Sequence, residues 1–160
     1  FLQVPEPLIQ KEFSRIMSLK DGSKKMSKSE LSDLSRINLT DDKDLIINKI
    51  KKAKTDPLPM PNTTKNLDER LEAKNLLGIY SSLTNSTLEK SVENFAGKNF
   101  SEFKQKLSEA LVDKIEPIST EIKKLLDDKS YLDNTLLEGV ERANIIASKK
   151  IKRIKEIVGF

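Results

Sequence analysis

Residues 18–33 read SLKDGSKKMSKSELSD, and four lysines (Lys20, Lys24, Lys25 and Lys28) crowd that stretch among serine, glycine and aspartate. Lysine ammonium groups are compact point charges, and serine hydroxyls and backbone N–H groups are neutral donors, so such a loop suits a polyphosphate ligand. Closing over that ligand, it would stabilise charge developing on a phosphate as a bond breaks. Residue types alone favour a plainer explanation: a solvated basic loop or a sequence-blind nucleic-acid patch, because lysine-rich surface runs are common.

The rest of the composition narrows the chemistry. The 160 residues contain no histidine and no cysteine, which removes triads, thiolate nucleophiles, disulfides and most transition-metal sites. A net charge of +4 is modest, but the positive residues are clustered. No apolar run approaches the length that spans a bilayer, and a cytoplasmic location is the expectation. Hydrophobic residues are 36% and charged residues 34%, as in a globular domain with a lysine-rich surface and a sizeable core.

Two regimes must position the lysine loop. Residues 1–40 hold VPEP, the apolar run Arg15–Leu19 that reads as a buried strand, the Asp21-Gly22 turn signal and the loop itself. From Thr40 the pattern is helical. Thr40 is the expected N-cap, with Asp41 and Asp42 in the first turn and Leu45, Ile46, Ile50 and Ala53 on the apolar face. A second helix is expected over Leu71–Leu83, and a third after a Ser86/Glu89 capping box, stopped by Gly97. Two long amphipathic helices follow. One carries Leu107, Leu111, Ile115, Ile118, Ile122 and Leu126 and contains Pro117, where a kink is expected; the other starts at Ser130 with Asp133, carries a stripe including Leu136, Val140 and Ile151, and closes at Gly159. Their stripes are expected to face each other. The predicted fold is mainly α, a helical bundle over 41–160. Phe95, Phe100, Phe103 and Tyr80 fall where core packing explains them.

The pentapeptide Lys25-Met26-Ser27-Lys28-Ser29 is, letter for letter, the KMSKS signature of class I aminoacyl-tRNA synthetases. Around it VPEP, RIMSL, KKAKTD (51–56), NLLGIYSSLT (75–84), FAGKNFSEFKQKL (95–107), LLEGVERANIIA (136–147) and the terminal VGF resemble, in that order, the bacterial-type tryptophanyl-tRNA synthetase family. The resemblance covers essentially the whole chain. It implies that residues 1–40 are the end of a Rossmann-like α/β catalytic domain and 41–160 a helical anticodon-binding domain. It also implies ATP with Mg2+ as substrate, tryptophan as the activated amino acid and tRNA(Trp) as acceptor. Lys25 and Lys28 would contact the triphosphate, chiefly in the transition state. Ser27 and Ser29 would donate hydrogen bonds, Met26 would set loop closure, and Ile16 and Met17 would lie near the adenine. No general base is required when a carboxylate attacks the α-phosphate, so the lack of histidine is no objection.

That same lack excludes the family's HIGH-type motif, so the chain is expected to be the C-terminal half of a synthetase: a ligase as the parent, inactive alone. The parent is expected as a homodimer and this piece as a monomer, with no membrane or DNA partner. Two further basic clusters, Lys49/Lys51/Lys52/Lys54 and Lys149/Lys150/Lys152/Arg153/Lys155, read either as solvated faces or as contacts to tRNA phosphates. Thr55 and Asp56 read as a helix-end turn or as groups that orient the loop. The alternative to a synthetase piece is a free-standing helical RNA-binding module with a vestigial loop.

Overall fold

A computed structural model describes residues 3–9 and 14–159. The regular elements among the described residues are helical, with α1 at Lys43–Lys52, α2 at Leu71–Thr84, α3 at Leu88–Phe95, α4 at Phe100–Asp127 and α5 at Lys129–Val158. It divides into two compact units, one ending at Ser119 and one beginning at Thr120.

The first unit holds the core. Ile46 and Ile50 of α1, Ala73, Leu76 and Leu77 of α2, Val92 and Phe95 of α3, and Phe103 and Leu107 of α4 bury together. Each comes from the apolar face of its helix, so burying the face is what holds the short helices in place. Phe95 is the hub of an aromatic trio, with ring centroids 5.0 Å from Tyr80 and 4.8 Å from Phe103, both edge-to-face. Of the four rings expected in the core, Phe95 and Phe103 are buried there, and Tyr80 and Phe100 pack half-buried against it.

Helix ends differ from the expected caps in an instructive way. Asp42, not Thr40, caps α1, its Oδ1 accepting from the Leu45 amide at 2.9 Å. Asp41 is drawn away from the helix end because it is buried against the Lys49 ammonium. Thr87 caps α3 in place of Ser86, whose hydroxyl is occupied by Thr84 and Ser91. Asp128 caps α5, two residues before Ser130. The stops were read correctly at Gly97 and Gly159, both in the left-handed region at φ +68° and +87°. Helix α4 continues through Pro117 without interruption.

No strand forms over Arg15–Leu19 among the described residues; an isolated antiparallel bridge, Met17 to Lys25, stands there instead. The segment folds back on itself as a short hairpin, Ser18 N–H donating to Lys24 C=O at 2.8 Å and Met26 N–H to Ile16 C=O at 3.0 Å. Leu19 is pinned on its other side, its N–H to Ser35 C=O at 2.9 Å and its C=O to the Lys54 N–H at 2.7 Å. A strand needs neighbouring strands, and here loop ends and helix ends occupy those positions.

In the second unit, α5 buries none of its residues: Leu136 is 66% and Val140 54% exposed. No described helix is long and apolar enough to cross a membrane.

Candidate functional site

The lysine loop is the tip of the hairpin and the turn that follows it. At its base, Asp21 forms an Asx turn, its Oδ1 accepting from the Ser23 amide at 3.0 Å and the Ser23 hydroxyl at 2.6 Å. Those bonds hold the Asp21 carboxyl below the ordinary aspartate range, with Lys24, 3.6 Å away, contributing less. Gly22 is buried flat against the start of α2. A Cβ there would stand 2.9 Å from the Glu72 backbone nitrogen and 2.9 Å from the Leu71 carbonyl carbon, so only glycine lets the turn approach this closely.

Beyond the turn the pentapeptide runs along the surface. Lys25, Lys28 and Ser29 are exposed, Ser27 is half-buried, and Met26 packs against the hydrophobic core. The two serine hydroxyls bond each other at 2.8 Å, and Ser27 Oγ also accepts from the Ser29 amide at 3.3 Å, closing a small turn around Lys28. Neither Lys25 nor Lys28 is ion-paired among the described residues. Two ammonium groups, two hydroxyls and a chain reversal thus share one exposed loop. Of the other residues singled out, Ile16 is half-exposed and supplies the carbonyl that receives Met26 N–H, and Met17 is half-buried beside it.

The exit of the loop is held by an ionic network. Lys49 is fully buried, its Nζ 2.6 Å from Asp41 Oδ2 and 2.7 Å from Asp33 Oδ2. Arg36 reaches Asp33 at 3.0 Å and donates to the Glu30 carbonyl at 2.9 Å. The Asp33 carboxyl is held below its ordinary value, first by Lys49 and then by Asn38. Lys49 is therefore no part of a basic face, which corrects the reading of the cluster at 49–54. Alternation of lysine along a helix does not show that one of them points inward at two aspartates 8 and 16 residues upstream. Lys54 is paired too, with Glu72 at 2.8 Å, while Lys51 and Lys52 stay exposed.

Asp56 does not reach the loop. Its carboxylate takes a two-pronged contact from Arg70, Nη2 at 2.6 Å and Nε at 3.0 Å. Asn75 is the residue that sequence reasoning passed over: its carboxamide bonds both backbone groups of Met17, at 2.9 and 2.8 Å. An asparagine beside Leu76 and Leu77 on the buried side of α2 was the signal available. Among the described residues, no group of three or more carboxylate, histidine or cysteine side chains is arranged to hold a metal ion. A separate groove of about 610 Å³ lies between α1 and α4, lined by Ile47, Lys51, Phe100 and Lys104 among others, and takes in no residue of the lysine loop.

The chain is 46% identical over 160 residues to the tryptophan–tRNA ligase of Mesorhizobium japonicum, covering 100% of this chain and 45% of that protein. It spans less than half the length of that curated relative. Among solved structures, the tryptophanyl-tRNA synthetase of Mycoplasma pneumoniae superposes with a TM-score of 0.76 at 26% identity, over 94% of this chain and 45% of that one. The tryptophanyl-tRNA synthetase of Campylobacter jejuni, solved in complex with ADP and tryptophan, shares the fold with a TM-score of 0.68 at 21% identity, over 98% of this chain and 47% of that one. The profile of the class I tRNA synthetases for W and Y matches residues 1–116, the span that holds the lysine loop and the whole of the first unit's core. The chain belongs to the class I tRNA synthetases.

Proposed function

We propose that this chain is the portion of a tryptophan–tRNA ligase running from the KMSKS loop through the helical anticodon-binding part, with the functional division near residue 40. The observation that carries the reading is the presentation of Lys25 and Lys28 without counter-ions among the described residues, on a loop whose root is fixed and whose tip is exposed. The tryptophan relatives and the nucleotide in the Campylobacter jejuni structure support tryptophan and ATP as the substrates.

In that reaction an oxygen of the tryptophan carboxylate attacks the α-phosphorus of ATP. The bond from that phosphorus to the bridging oxygen breaks, and pyrophosphate leaves with the electron pair. Lys25 and Lys28 lie against the β- and γ-phosphates, where negative charge grows, and the Ser27 and Ser29 hydroxyls supply neutral donors. Met26 anchors the loop, and Ile16 and Met17 border the adenine. Mg2+ arrives with the nucleotide as part of the substrate. Lys51 and Lys52 on α1 contact tRNA(Trp) phosphates, which position without reading sequence. The parent acts in the cytoplasm as a homodimer.

The test is a titration of the chain with Mg·ATP, followed at the backbone amides of 25–29. Shifts concentrated there, and abolished by Lys25→Ala together with Lys28→Ala, are expected. Shifts that survive the double substitution, or that fall elsewhere, would remove the case for a phosphate loop.

A further inference from the structure

Met17 and Lys25 face each other as a pair that exchanges no hydrogen bonds; the ladder bonds lie on either side, at Ser18–Lys24 and Ile16–Met26. In an antiparallel pair of this kind each residue turns its own N–H and C=O away from its partner. For Met17 those two groups turn toward α2, where a neighbouring strand would otherwise be needed. Asn75, 58 residues away in sequence and 8% exposed, meets both: its Oδ1 accepts from Met17 N–H at 2.9 Å, and its Nδ2 donates to Met17 C=O at 2.8 Å. One side chain thus satisfies an edge that carries an acceptor and a donor side by side. Asparagine is the shorter of the two residues whose planar amide sets a separate acceptor and donor side by side.

We propose that Asn75 is a positioning residue for the lysine loop, acting through Met17. The link is short. Met17 is fixed by Asn75, the adjoining Ile16 carbonyl receives Met26 N–H, and Met26 lies between Lys25 and Ser27. Gly22 seats the turn of the same hairpin on the first turn of α2, one helical turn before Asn75. The two contacts hold the hairpin at its turn and at its arm, so Lys25 and Lys28 project from a root with little rotational freedom. Asn75 touches no phosphate and does no chemistry. The inference rests on the phosphate-binding reading of Lys25 and Lys28.

The test compares Asn75→Leu and Asn75→Asp with the unsubstituted chain. Leucine has a similar volume and bonds neither group of Met17; aspartate keeps the acceptor and loses the donor. Two readouts are taken on each: hydrogen exchange at the Met17 and Met26 amides, and affinity for Mg·ATP. Loss of the paired bonds at a nearly buried site predicts exchange about tenfold faster or more at those amides. Exchange in the Leu77 and Phe103 region should be unchanged, and Mg·ATP affinity several-fold weaker. A role confined to holding the fold together would move the core amides as well and would leave affinity intact once the chain is folded. Affinity unchanged in a folded Asn75→Leu, or exchange unchanged at Met17, overturns the inference. If circular dichroism shows that Asn75→Leu does not fold, Asn75→Asp decides by the same readouts. If the unsubstituted chain alone binds no Mg·ATP, the same variants are read in the parent ligase by ATP–pyrophosphate exchange: exchange unchanged in Asn75→Leu overturns the inference, and exchange unchanged in Lys25→Ala with Lys28→Ala sinks the phosphate reading as well.

Discussion

Replacing Lys49 by methionine removes a charge of one sign from the interior and leaves two of the other. Asp41 is 4% exposed and Lys49 fully buried; after the substitution the Asp41 carboxylate keeps only the Asn38 amide at 2.9 Å and the Asn38 side chain at 3.2 Å. Asp33 is half-exposed and can rehydrate, so the penalty concentrates on Asp41. Leaving one uncompensated buried charge destabilises by about 3–5 kcal/mol, whereas removing both members of a buried pair is far milder. Lys49→Met should therefore unfold the first unit at markedly lower urea. The double variant Lys49→Met with Asp41→Asn should recover about half of that loss or more, an interaction energy of about 1.5 kcal/mol or greater. The chain has no tryptophan and two tyrosines, of which Tyr80 lies in the first unit's core. Placing all variants in a Tyr131→Phe background makes Tyr80 fluorescence report on that unit alone. A Lys49→Met loss below about 1 kcal/mol, or strict additivity in the double variant, would refute the argument that these charges depend on one another.

Gly22→Ala should destabilise by about 1–3 kcal/mol in urea melts, because the new methyl group meets backbone on α2 and not a side chain that can swing away. A neutral result would refute the close approach of the turn to the helix backbone. The Glu72 carboxyl is held below its ordinary value of 4.5, chiefly by the hydrogen bond from Lys54. A carboxyl with a depressed folded value stabilises above its ordinary value and loses that contribution as pH falls through the depressed one. The stability gap between the unsubstituted chain and Glu72→Gln should thus be level near neutrality and close below about pH 4.5. A gap that widens on acidification would reverse the sign and refute the pairing.

Helix α2 was readable from its spacing almost to the residue, and Gly97 and Gly159 as stops, because periodicity and left-handed glycine are local properties. The KMSKS letters were readable for the same reason, since a loop of adjacent residues carries its chemistry in sequence order. What escaped depends on distance along the chain. Lys49 looks like one lysine among four until Asp33 and Asp41 are seen around it. Asn75 looks like a helix polar residue until Met17 is placed beside it. The expected strand failed likewise, because neighbours decide whether an extended segment becomes one, and the neighbours here are a side chain, a carbonyl and an amide. The caps fell two residues early at α5 and one or two late at α1 and α3. Several hydroxyls and carboxylates compete at each end, and tertiary demands on Asp41 and Ser86 settle the choice.

At the KMSKS tip, the hydroxyls of Ser27 and Ser29 answer each other, and the two lysines pair with no carboxylate among the described residues. Apart from Met26 and the serine pair, the fold makes little use of the side chains at these five positions. A library of variants sorted for stability should be blind to Lys25 and Lys28, and the same library sorted for growth should not. Constraint on those letters in nature would then be imposed from outside the fold, by whatever the loop closes upon. Helix α2 carries the opposite burden, since Leu71, Glu72 and Asn75 answer to the fold and the loop together. The tip is free to be selected for its task because the helix beneath it is not.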